Sequence, residues 1–238
     1  MKFLQSALLA IGAFLFVSNY ANAQFQPIAL NGFNHDVVAE VGNSSLATTT
    51  VAMDLVSLSN NVMYTQAFAS TNAFGGGGLP NTGTITDGSG SYQMADYAIN
   101  NTLLLPRGQS GDLFLNTPAS YGKLRILCLS TEGVSLVNAT LFFTDGTSTN
   151  ALSNVTLNDW FNTATNTVIS GFGRCARVAA VTTANGYPNN PKMFYLEIPL
   201  SCADAQKSLQ KINFSNVTTA GNNAPFPNAF FFAVSGTP

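Results

Sequence analysis

The 238-residue chain is 46% apolar but only 8% charged, with a formal charge of -2, against a usual charged share of about a quarter. That balance supplies ample core material, excludes disorder of the polyelectrolyte kind, and offers no basic stripe for a nucleic acid or cationic helix for a membrane surface. Solubility falls instead to Asn, Thr, Ser and Gly, and the length suits one all-β domain better than two.

Lys2, the apolar run Ala7 to Val17 and the small-residue pattern Ala21-Asn22-Ala23 are the parts of a cleavable export signal, too short in its apolar stretch to span a bilayer. We therefore expect a signal peptide over 1–23, a secreted or cell-surface destination, no membrane insertion after cleavage, and a mature charge of -3 once Lys2 is lost. The remainder, Gln24 to Gly236, reads as one domain, with Ser235 to Pro238 as the start of a linker or tail.

Alternation and short apolar runs bounded by turn residues predict strands at Ile28–Leu30, Asp36–Val41, Thr48–Met53, Asp112–Asn116, Leu124–Ser130, Leu136–Phe143, Ala151–Leu157, Arg177–Val181, Met193–Leu200, Lys211–Asn216 and Ala229–Ser235. In the stretch from Met193, the side holding Phe194, Leu196, Ile198 and Leu200 is expected to be buried and the side of Met193, Tyr195 and Glu197 to face outward. Between Ala67 and Gly90 lies a Gly- and Asn-rich surface loop around Gly75-Gly76-Gly77-Gly78. No Lys-Ser or Lys-Thr follows these glycines, so they are no phosphate cradle. Asp145-Gly146 marks a tight hairpin turn. The single short helix is expected over Ala203–Leu209, with Ser201 at its start. Many short strands with no intervening long helix imply an all-β fold, an antiparallel β-sandwich of jelly-roll type.

Cys128 lies inside an apolar strand, whereas Cys175 and Cys202 lie near segment ends. In an exported chain these two are the pair expected to form a disulfide, on context rather than on spacing. One histidine, His35, and three scattered cysteines do not make a zinc site, and no G-x-S-x-G stretch supplies a hydrolase nucleophile. Glu40, Glu132 and Glu197 are the glutamates, but scattered acids are ordinary on surfaces. No enzyme and no cofactor are expected. Asp side chains and loop carbonyls are compatible with a structural calcium ion, although no consecutive ligand loop is present.

Aromatic residues give the main hint of binding. Trp160, next to Asp159, is either a core plug or a platform on which a sugar ring stacks. Tyr92, Tyr97, Tyr121 and Tyr187 are further candidates. The expected function is a non-catalytic extracellular binding module, with a glycan as partner. The alternative is a structural or adhesive module that contacts surface proteins or its own copies.

Gly32-Phe33-Asn34-His35-Asp36-Val37-Val38-Ala39-Glu40, Gly78-Leu79-Pro80, Tyr92-Gln93-Met94-Ala95, Asp159-Trp160-Phe161, Ala203 to Lys207 and Ala233-Val234-Ser235-Gly236 occur in that order. Together they resemble a class of exported bacterial, Bacteroidetes-type β-sandwich modules that stand at the start of larger surface proteins carrying a C-terminal sorting domain. In this sequence no such sorting domain is expected before Pro238, a departure from that architecture. The class has no established activity, so the resemblance implies a surface module and assigns no catalytic residue.

Overall fold

The computed structural model describes residues 24–54, 60–219 and 227–238; the expected signal peptide lies outside them. Eight strands form the frame: β1 (Gln26–Ile28), β2 (Ser110–Ala119), β3 (Lys123–Thr131), β4 (Ser135–Phe143), β5 (Ser148–Leu157), β6 (Lys192–Pro199), β7 (Leu209–Asn216) and β8 (Asn228–Thr237). One sheet runs β1-β8-β3-β6 and the other β2-β7-β4-β5, with every neighbour antiparallel. That order is the double Greek key of a jelly roll. Short strands extend the sheets: Leu30–Asn31 beside β2, Leu103–Leu105 beside β8 and Thr167–Ser170 beside β6.

Alternation places Val137, Ala139, Leu141 and Phe143 of β4 inward, against Leu124, Ile126 and Cys128 of β3. Across the same interface Phe214 stacks on Phe231 with ring centroids 4.1 Å apart. The first sheet is buried on both faces. Its other side carries Leu127, Leu129, Phe230 and Phe232, which lie beneath Val37, Met53, Met63, Leu79, Tyr92 and Trp160. Strands covered twice need apolar residues at successive positions, which accounts for the unbroken runs at Ile126–Leu129 and Ala229–Val234.

This covering layer is where the sequence reading needs correction. Thr48–Met53 and Arg177–Val181 are not strands: the first follows a helical turn at Ser45–Thr48, and the strand nearest the second is Arg174–Ala176. The expected surface loop of 67–90 contains most of the helix Gln66–Thr71, then the strand Thr84–Asp87 leading to Gly90–Gln93. The far side of Met193–Pro199 is only partly open to solvent: Met193, expected there with Tyr195 and Glu197, is buried in the covering layer, and the half-buried Tyr195 and Glu197 meet Arg125. The expected tail is β8, which stays paired as far as Thr237. The helix expected at Ala203–Leu209 shrinks to one 3-10 turn, Asp204–Gln206, whose Asp204 N–H donates to Ser201 Oγ.

The β4–β5 hairpin forms where expected, with Gly146 at positive φ (+84°) in its turn and Asp145 accepting from the Thr147 N–H. The tetraglycine has a packing cause. A Cβ on Gly77 would lie 2.7 Å from Tyr64 Oη, and one on Gly76 would lie 2.8 Å from the Tyr187 ring.

Candidate functional site

Most of the aromatics expected to bind are in the core. Trp160 is 1% exposed, Tyr92 1% and Tyr97 6%. Trp160 packs in the covering layer, and the Arg174 guanidinium lies 5.3 Å from its ring centroid and 4.4 Å from that of Phe161. Arg174 also pairs with buried Asp54 and donates from Nε to Asn185 Oδ1. Asp159 is a loop clamp, since its carboxylate accepts from the Gly133 and Phe161 N–H groups. Tyr187 remains 52% exposed on the same flank, close to the glycine run. Trp160, Tyr92 and Tyr97 thus share one buried cluster, whereas Tyr187 is exposed beside the glycine run.

The expected disulfide is absent. Cys175 is buried among Val62, Tyr64 and Phe68, whereas Cys202 is exposed near the 3-10 turn, and all three cysteines are free. Burial pushes the Cys175 thiol up to about 12, which keeps it protonated and inert.

Glu197 and Asp36 are held by the fold, whereas Glu40 Oε2 is buried without a hydrogen-bond partner. Glu197 accepts from Arg125 Nε at 2.8 Å, and Arg125 is stacked between Phe25 and Tyr195. Asp36 accepts from the Val38 N–H and from Asn101 Nδ2 beneath the surface, and burial raises its carboxyl to about 6. Glu40 is raised to about 7 by burial and by the neighbouring Asp36. Among the described residues no group of three or more His, Cys, Asp or Glu side chains is placed to hold a metal ion, and no helix is long and apolar enough to cross a membrane.

The best-formed concavity lies where two segments diverge. Phe25 bridges to Gly90, and the Ser91 N–H donates to Phe25 O at 3.1 Å. Beyond Ile28 the chain crosses to the second sheet, where Leu30 faces Leu115, while Met94 follows the other hairpin and donates to Gly83 O at 3.0 Å. The splay opens a groove of three adjoining depressions, of about 290, 330 and 350 Å³. Pro27, Ile28, Leu30, Phe33 and Met94 supply its apolar surface. Amide side chains stand around it: Gln93 and Asn116 at the first depression, Asn31 and Asn100 at the second, Asn81 at the third.

Local conformation builds this wall. Gly32 adopts φ +102° at a point where any Cβ would strike Asp112 O, and that turn sends Phe33 into the groove. Two of the stretches that carry the family resemblance, Gly32-Phe33 and Gln93-Met94-Ala95, meet here although 60 residues separate Phe33 from Gln93. Of the binding residues expected from sequence, only Tyr97 lines the groove, at its third depression, with its hydroxyl donating to Pro80 O. Phe33, Met94 and the amides were missed. Phe33 carried no signal beyond being one of many phenylalanines, and the amides none beyond their abundance. No protein-family model matches this chain, and no curated protein matches it.

Proposed function

We propose that this chain is a non-catalytic extracellular binding module that takes a carbohydrate in the groove between the β1 crossover and the Gln93–Tyr97 segment. The observation that carries the reading is the pairing of an apolar floor with a rim of uncharged amides. A pyranose ring has apolar C–H faces and a hydroxyl edge, and the two sets of groove atoms complement these. Each depression is near the lower end of the usual pocket range of about 300 to 1,000 Å³, which suits one or two sugar residues rather than a large cofactor. The test is a glycan array on the folded chain beside Ala95→Trp, a half-buried lining position where an indole fills the groove. Retention by the parent and its loss in Ala95→Trp, at an unchanged melting temperature, is the expected result. Uniform failure of the folded parent to bind would overturn the reading.

A second reading, a structural or adhesive module, is favoured by the outer face of the second sheet. There Phe142, Lys211 and Phe114 stand side by side on β4, β7 and β2. Lys211 Nζ lies 4.6 Å and 5.6 Å from the two ring centroids, and Phe114 is 39% exposed. Concentration-dependent self-association abolished by Phe114→Ser would favour this reading.

A further inference from the structure

We infer that the groove selects glycans bearing a free amino sugar, whose ammonium group sits against Asp96; this rests on the carbohydrate reading of the same groove. Asp96 is the only charged side chain lining any of the three depressions, and no Lys or Arg lines them. Asp96 is exposed, and its Oδ1 accepts a local hydrogen bond from the Ala98 N–H at 3.0 Å. No Lys or Arg among the lining residues stands beside this carboxylate to neutralise it.

Two more acids, Asp36 and Glu40, are raised by burial to about 6 and about 7, so at pH 5.5 both are mostly protonated and leave the groove's charge to its lining. Glu40 lies close enough to Asp96 and Asp36 for both to disfavour its ionisation. His35 is partly buried, and desolvation holds its pKa below the ordinary value. A uronate or sulfated sugar entering this groove meets uncompensated carboxylate charge, and a neutral sugar gains nothing from it. A hexosamine ammonium in the Asp96 depression gains a charge-assisted hydrogen bond, while neighbouring sugars of the same oligomer reach the adjoining depressions lined by Phe33.

The experiment is calorimetric titration of the full chain at pH 5.5 with hexamers of glucosamine, N-acetylglucosamine and galacturonate, with a lysine hexapeptide as a charge control. Glucosamine hexamer is expected to bind roughly fivefold more tightly than its acetylated form, the upper range of an exposed ion pair. That preference should disappear in Asp96→Asn, which keeps an oxygen for the Ala98 N–H, and should shrink in high salt. Galacturonate hexamer should not bind. Equal affinity for the two hexosamine oligomers, unaffected by Asp96→Asn, would overturn the charge selection and leave the carbohydrate reading standing. A lysine hexapeptide that binds as tightly as glucosamine hexamer would overturn selection of a sugar. Failure of every glycan would bring down the carbohydrate reading itself.

Discussion

Replacing Trp160 by alanine removes the largest fully buried side chain of the covering layer. The ring is 1% exposed, it packs in the second apolar cluster, and Arg174 rests over it and over Phe161. Truncating a buried Trp costs about 3 to 5 kcal/mol, because the transfer energy of the lost atoms adds to the cavity they leave. Arg174 would lose part of its seat while still paired with buried Asp54, which places the effect toward the upper end. For a chain of this size each kcal/mol moves the midpoint by roughly 2 to 4 °C, so a fall of roughly 6 to 20 °C in thermal melting is expected. Urea titration should move in the same direction with an unchanged slope. Phe161→Ala, at a side chain 38% exposed, should cost clearly less. A Trp160→Ala variant that melts within about 2 °C of the parent would refute the core assignment and restore Trp160 as a surface platform.

The glycine run offers a paired test. Gly77→Ala and Gly75→Ala both sit at positive φ, +84° and +72°, but only the former meets Tyr64 Oη, so denaturation should find Gly77→Ala the more damaging by more than the shared penalty of about 1 kcal/mol. Thiol titration of the unfolded, unreduced chain should count three thiols, because Cys175 is buried while Cys202 is exposed elsewhere; a count of one would restore the disulfide. Stability should fall as pH rises from roughly 4 to above 7. Burial raises Asp36 and Asp54 to about 6 and Glu40 to about 7, so across that window the folded chain holds protons that the unfolded chain has released. Urea midpoints at pH 5 and pH 8 measure this, and a higher midpoint at pH 8 would refute the burial of these acids.

The sandwich was legible because its strands carry a period of two. Val137, Ala139, Leu141 and Phe143 name the inner face of β4 without help from the rest of the chain. The covering layer was not legible, because its apolar residues arrive singly: Val37, Met53, Met63 and Leu79 each come from a short, irregular stretch and are assembled only by tertiary packing. The same gap concealed the groove. Local sequence marks Trp160 and the tyrosines as candidates by side-chain type alone, and aromatic rings serve cores more often than surfaces. The groove arises instead from a divergence of backbone. Phe25 is held at Gly90, Ala29 O is bonded to the Asn116 N–H of the second sheet, and the Met94 N–H is committed to Gly83 O. Three bonds to three different elements force the two segments apart, and no window of sequence contains more than one of them. What the sequence did contain was the bias of the residues left facing the gap, in which amides outnumber charges, and on that bias the choice of ligand rests.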